Sequence, residues 1–320
     1  MKMSKCLFCY KNIEDEEFIE YEFHKSCSRK FFGKNIPPIL DYTQSEMLEL
    51  AENIVKSQRT VTGVQPKLSL SSHRMAEDST NERFTIVRLW GNFILKPQTI
   101  LYKQLPEIED LTMKLAQLSK IRTVKHSLIR LKSGELAYIT KRIDRLKNKK
   151  LHMEDMCQLT ERQTEHKYKG SYEHVAKTIK KYSSNPGFDI VNFYELVLFC
   201  FLTGNNDMHL KNFSLLKDIN LNYNLCPAYD LVASELVVEG DDEELALNLN
   251  GKKKKIKRKD FLIAMKTSGM NEKSIENVFK KFEKLQKKWH ILIDDSFLSD
   301  NLKENYHNLI IEKYKQLDIN

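Results

Sequence analysis

An α/β (α+β) fold in two lobes, a mixed small lobe and then a mainly helical large one, is what three observations predict. Short apolar runs such as Leu68-Ser69-Leu70, Phe93-Ile94-Leu95-Lys96 and Ala137-Tyr138-Ile139-Thr140 are bounded by turn residues and read as strands. The C-terminal third instead repeats apolar residues at three/four spacing, as in Ile275, Val278, Phe279 and Phe282, which is a helical period. At 320 residues the chain can bury about 75% of its unfolded surface, enough for two lobes. The division expected is a segment over 1–40, a small lobe over 41–145 and a helical lobe over 146–320.

The first segment carries Cys6-Leu7-Phe8-Cys9 and, after fourteen intervening residues, His24-Lys25-Ser26-Cys27. Two soft-ligand pairs at this spacing suit one tetrahedral Zn2+ held by Cys6, Cys9, His24 and Cys27. A segment of 35 residues is too short to bury much core, so it gains most from a metal staple. Three free thiols and an ordinary histidine remain the bland alternative. Disulfides are the weaker one: Cys157, Cys200 and Cys226 sit in apolar stretches like reduced core residues.

In the small lobe, Thr60-Val61-Thr62-Gly63-Val64-Gln65-Pro66-Lys67 reads as a turn entering a strand, where a phosphate-covering loop belongs. Lys96 ends an apolar strand, from which its ammonium can reach α- and β-phosphates. A helix then starts near Pro106, and its Glu109 can hold Lys96 through an ion pair. The polar stretch Ser71 to Arg83 reads as a long hairpin connection.

Between the apolar run ending at Leu202 and Ser214-Leu215-Leu216 lies Gly204-Asn205-Asn206-Asp207-Met208-His209-Leu210-Lys211-Asn212-Phe213. Its Asp-x4-Asn spacing suits phosphoryl transfer: an aspartate orients and deprotonates the acceptor hydroxyl, and an asparagine holds a metal on the nucleotide phosphates. Pro227-Ala228-Tyr229-Asp230 follows and offers a second metal ligand. Alone, the same residues fit a helix stop at Gly204 followed by an N-cap. Lys96 alone reads as a surface lysine and Glu109 as a first-turn carboxylate; His126 and His152 read as structural.

Taken in order, TVTGVQPK, FILKP, the helix near Glu109, TKRIDR, HMEDMCQ, GNNDMHLKNF and PAYD resemble the HipA-like serine/threonine kinases, the toxins of bacterial toxin–antitoxin systems, across residues 57–251. The chain looks closest to the short HipT-type members. The resemblance implies a kinase-like fold and an ATP- and Mg2+-dependent enzyme. Asp207 would be the catalytic base, Asn212 and Asp230 the Mg2+ ligands, and Lys96 the phosphate-contacting lysine. Gly63, Val64, Gln65 and Lys67 would form the nucleotide loop, with His209 and Lys211 near the phosphates. Lys141 and Ile143 would offer backbone groups to adenine, and Asp144 would face the ribose. Thr60 and Thr62, with Ser57 just before them, stand where relatives carry regulatory serines, which implies autophosphorylation. Partners implied are a HipB-type antitoxin, a small HipS-like protein, operator DNA through the antitoxin, and an aminoacyl-tRNA synthetase as target. A HipA-like binding protein without catalysis is the alternative.

The formal charge is +8, from 52 Lys+Arg against 44 Asp+Glu. Basic residues cluster at 141–150 and 252–259, which suits anionic partners or, more simply, solvated loops. No run of 18 apolar residues and no leader segment is visible, so a cytoplasmic chain is expected.

Overall fold

The computed structural model describes residues 4–50, 66–74, 82–87, 90–146, 149–238, 240 and 242–319. Ser57, Thr60, Thr62, Gly63, Val64 and Gln65 lie outside them. The chain forms two compact units. One comprises Met1–Asp110, Val124–Ile143 and Asp295–Phe297; the other comprises Leu111–Thr123, Asp144–Asp294 and Leu298–Asn320.

The first unit is built on an antiparallel sheet of β1 (Leu68–Arg74), β2 (Glu82–Ile86), β3 (Phe93–Lys96), β4 (His126–Arg130) and β5 (Leu136–Lys141), in the order β2-β1-β3-β5-β4. Period-two patterning fixes its inner face: Leu68 and Leu70 are fully buried while Ser69 and Ser71, which alternate with them, are not. Register then sets Leu68 against Leu95 and Leu95 against Ile139. Two short helices, α1 (Glu16–Ile19) and α2 (Lys25–Phe31), precede the sheet. Phe31 and Phe32 at the end of α2 pack against Phe93, with ring centroids 5.9 and 6.2 Å away. These rings give the short N-terminal segment the apolar anchorage that its length alone cannot. Helix α3 (Leu105–Leu118) runs across the division, its first turns belonging to the first unit.

The second unit is mainly helical, as expected of the large lobe. Its helices are α4 (Met156–Leu159), α5 (Tyr172–Tyr182), α6 (Pro186–Leu202), α7 (Arg258–Thr267), α8 (Glu272–Glu283), α9 (Gln286–Asp294) and α10 (Asp300–Gln316). A hairpin, β6 (Arg145–Leu146) with β7 (Lys149–Lys150), and a small sheet, β8 (Met153–Asp155), β9 (Ser214–Lys217) and β10 (Tyr223–Leu225), complete it. In α6 every residue from Leu196 to Leu202 is buried, so apolar side chains on all faces leave it no surface but the core. Trp289 on α9 lies against Phe199, Phe282 and Tyr314 edge-on, at 5.5–6.0 Å, and its indole N–H donates to Ser119. Cys157, Cys200 and Cys226 are free, buried thiols. Among the described residues no helix is long and apolar enough to cross a membrane.

Candidate active site

In the second unit, α6 stops because Thr203 leaves the helix and Gly204 takes φ +65°. A Cβ there would stand 2.7 Å from Leu309 Cδ2 and 3.1 Å from Glu235 Cβ, so both dihedral and space demand glycine. The next residues are tied from several sides. Asn205 N–H donates to Cys200 O at 2.8 Å, and its side-chain oxygen accepts from Asp207 N–H at 3.2 Å. Asn206 N–H donates to Ser234 Oγ, and Asn206 Nδ2 donates to Glu243 O. Behind them Asn212 Nδ2 donates to Asp207 O at 3.1 Å, and His209 N–H donates to the same carbonyl at 2.9 Å. The loop therefore fixes its backbone with buried amides and leaves the Asp207 side chain exposed.

One partner reaches the Asp207 carboxylate that spacing rules do not flag: Tyr168 Oη donates to Asp207 Oδ1 at 2.5 Å. The Tyr168 ring stands edge-on to His209 at 5.0 Å. His209 is buried, which pushes its imidazole pKa down, while the Asp207 and Asp230 carboxylates oppose that shift. His209 thus lies within electrostatic reach of both carboxylates. Its Nδ1 is buried without a hydrogen-bond partner among the described residues.

Asp230 adopts φ +60°, a left-handed backbone that aspartate tolerates better than most residues. The strand-like contact of Ala228 N–H with Arg122 O, 2.7 Å, fixes the approach to it. Tyr229 beside it donates to Lys211 O at 3.1 Å and meets Ser214 Oγ at 2.6 Å. Lys211 reaches Asp155 at 3.0 Å, the N-cap of α4, whose capping box with Gln158 holds that carboxylate in place. Asp144 accepts from the Arg145 guanidinium next to it.

In the first unit, Lys96 and Glu109 meet at 2.5 Å with side chains 4% and 0% exposed. The Lys96 ammonium also lies 5.4 Å from the centroid of the Tyr138 ring. Lys67 is exposed, and Ile143 is half-buried. Lys141, half-buried, has its pKa lowered by burial and then by Lys125; its backbone N–H is engaged by Lys125 O.

Glu107, in the first turn of α3, has a carboxyl pushed up to about 7, chiefly by burial. Its Oε2 has no hydrogen-bond partner among the described residues. Above the ordinary value of 4.5 the unfolded chain releases this proton and the folded chain keeps it. Stability contributed by the neutral acid is therefore complete below 4.5 and lost as pH rises to about 7. Glu107→Gln should exceed the parent by about 2–3 kcal/mol at pH 8 and match it near pH 4, in urea titrations at both pH values.

The four N-terminal ligand atoms also come together: Cys6, Cys9, Cys27 and His24 offer donors all within 4.8 Å of one another, a set that could hold a metal ion. His24 Nδ1 faces the Cys9 and Cys27 sulfurs at 3.4 and 3.7 Å, while Nε2 lies 3.0 Å from Asn12 O. A carbonyl can only accept, so Nε2 carries the proton and Nδ1 presents its lone pair to the sulfurs. The Cys6 thiol is held far below its usual range by hydrogen bonds from Cys27 and Cys9.

The basic cluster at 252–259 is charge-compensated at its start: Lys252 pairs with Asp260, Lys253 with Glu243 and Lys254 with Asp242.

Two curated relatives are bacterial. A Haemophilus influenzae protein named "Putative kinase" is 29% identical over 63% of this chain and 60% of its own length. "Putative kinase Y4dM" of Sinorhizobium fredii is 33% identical over 51% of this chain and 42% of its own. The chain thus spans less than two thirds of the relatives it matches. Among solved structures, the fold resembles that of Shewanella oneidensis HipA from a complex with HipB and operator DNA. The TM-score is 0.67 at 18% identity, covering 83% of this chain and 70% of that one. It also resembles the Helicobacter pylori proinflammatory kinase CtkA, at TM-score 0.52 and 17% identity over 71% of this chain and 88% of that one. The HipA-like C-terminal domain family matches residues 59–289, well over half of the sequence, and the chain belongs to that family.

Proposed function

We propose that this chain is an ATP-dependent serine/threonine protein kinase and the toxin of a toxin–antitoxin system. The observation that carries the reading is the exposed Asp207 carboxylate on a loop locked by Asn205, Asn206 and Asn212. Preorganisation of this kind matters because phosphoryl transfer is catalysed mainly by positioning and electrostatics. Asp207 orients a serine or threonine hydroxyl and takes its proton as the oxygen attacks the γ-phosphorus. The bond from that phosphorus to the ADP oxygen breaks, and ADP leaves. Asn212 and Asp230 offer the hard oxygen donors that Mg2+ prefers and would hold it there. Bound Mg2+ supplies neutralisation of phosphate charge. Lys96, ion-paired with Glu109, is assigned to the α- and β-phosphates, and His209 and Lys211 are assigned to phosphate contacts as well.

Gly63, Val64, Gln65 and Lys67 are assigned to the loop over the phosphates, Lys141 and Ile143 to adenine, and Asp144 to the ribose. Thr60, Thr62 and Ser57 are assigned to autophosphorylation. A phosphate there adds about −1.5 to −2 charges and repels the nucleotide. Cys6, Cys9, His24 and Cys27 are assigned to one structural Zn2+, the metal that a three-thiolate, one-imidazole set selects. Family membership supports a HipB-type antitoxin, which would link the chain to operator DNA, as a partner; a small HipS-like protein is proposed as a second. An aminoacyl-tRNA synthetase is the proposed target and the cytoplasm the proposed location. The non-catalytic binding alternative draws no support from the 252–254 lysines, whose charge is compensated by neighbouring carboxylates.

Incubation with Mg·ATP, followed by intact-mass and peptide mapping, tests the reading. Phosphate on Thr60, Thr62 or Ser57 is expected, together with label transfer from γ-labelled ATP to a synthetase in a lysate. No phosphate on any protein and no ADP released would overturn the kinase. Phosphate on the chain only outside 57–62 would remove the autophosphorylation assignment.

A further inference from the structure

Cys9 is followed directly by Tyr10, and Tyr10 connects the metal-ligand cluster to the lysine–glutamate pair through a buried chain of contacts. Tyr10 has φ +66°, and its N–H donates to Cys6 O at 2.9 Å, so the Cys6–Cys9 turn sets where its ring goes. The ring is 3% exposed, and its hydroxyl donates to Asp110 Oδ2 at 2.7 Å. The other oxygen of Asp110 accepts from His126 Nδ1 on β4 at 2.6 Å. His126 stacks on Tyr138 with centroids 5.8 Å apart, and the face of Tyr138 carries the Lys96 ammonium at 5.4 Å. Lys96 returns to Glu109, the residue beside Asp110 on α3. Tyr10, Asp110, His126, Tyr138, Lys96 and Glu109 thus form a closed circuit, every member at most 3% exposed.

The turn is also docked on the sheet. Leu7 O accepts from Ser127 Oγ at 3.2 Å and from Leu128 N–H at 3.4 Å, both on edge strand β4. Glu22 accepts two bonds from Arg130 on the same strand, at 2.5 and 2.6 Å. A bidentate carboxylate–guanidinium contact fixes orientation as well as distance. The segment therefore covers a strand edge that would otherwise expose unpaired backbone groups.

We propose that Tyr10 and Asp110 are positioning residues through which the metal-bound Cys6–Cys27 segment holds α3, and with it the Lys96–Glu109 pair, in the nucleotide-competent arrangement. The inference rests on the kinase reading for the meaning of that pair. Physically, a segment this short has little core of its own, so a metal on its four ligands would fix the Cys6–Cys9 turn that aims Tyr10. Metal occupancy therefore decides whether Tyr10 is in place to complete the hydrogen bonding of the buried Asp110. A carboxylate losing such a donor is destabilised where it stands, and the helix that carries it bears Glu109 one residue earlier.

The test reads Lys96 directly. Protein purified without chelator is analysed for zinc, then treated with an amine-acylating reagent, and Lys96 labelling is followed by peptide mass spectrometry. About one zinc per chain is expected, with Lys96 strongly protected. Removal of zinc by EDTA should speed Lys96 labelling about tenfold, and Zn2+ alone should restore protection; the factor is that of one charge-assisted hydrogen bond. Tyr10→Phe, which removes only an oxygen, should give the same increase with zinc retained, an effect that a merely structural role for the metal-ligand segment would not produce. Absence of bound metal, or Lys96 labelling unchanged in Tyr10→Phe, would overturn the proposal. ADP release from Mg·ATP by the parent, measured separately, decides the kinase reading, so its failure is distinguishable from failure of this proposal.

Discussion

Asp207→Ala is expected to lower phosphoryl transfer by roughly 10²–10⁴-fold, the range that a positioned acid–base group supplies. The fold should survive. The Asp207 side chain is exposed, and what orders the loop is the Asp207 backbone, held by Asn205, Asn212 and His209. Denaturation midpoints within about 0.5 kcal/mol of the parent are expected for a substitution of this kind. Tyr168→Phe separates the two jobs at this carboxylate: it deletes the Tyr168 hydrogen bond and keeps the base. Its rate should fall far less than that of Asp207→Ala. Radiolabel transfer at saturating Mg·ATP measures both, and retained transfer in Asp207→Ala would remove the assigned role.

The second large effect falls on the buried ion pair. Lys96→Met leaves the fully buried Glu109 carboxylate without its cation, which costs about 3–5 kcal/mol. The double variant Lys96→Met/Glu109→Leu removes both charges and fills the space with apolar volume. It should return to within about 1–2 kcal/mol of the parent, because two desolvated charges only roughly balance their attraction. Activity should not return with stability, since neither replacement reaches a phosphate. Urea unfolding of the parent, single and double variants, with transfer assays on each, makes the comparison. A double variant that phosphorylates would show that the pair serves the fold alone.

What the sequence displayed was spacing. Asp207 and Asn212 are five positions apart because one loop turn must carry both, and that interval survives in the letters. The helical third and the strand alternation around Leu68 and Leu70 were legible for the same reason, since burial repeats with the period of the element. The contacts that spacing cannot carry were not legible. Tyr168 stands 39 residues before Asp207, and Tyr10 stands 100 before Asp110. No local rule links such residues. His126, read as structural, is indeed buried, but with Asp110 as partner. Asp230 likewise shows as a carboxylate in sequence, while its left-handed backbone is visible only in three dimensions.

The first unit draws its last piece from far along the chain. Residues Asp295–Phe297 belong to it, and there Phe297 meets the edge of Tyr10 at 5.1 Å while Asp295 O accepts from Lys5. On a ribosome moving at roughly 5–20 residues per second, some 15–60 s pass between the emergence of Tyr10 and that of its partner. From the emergence of β5 until that of Phe297, the nascent first unit has its strands but lacks the ring that closes over Tyr10. A fragment cut after β5 would reproduce the unfinished state permanently.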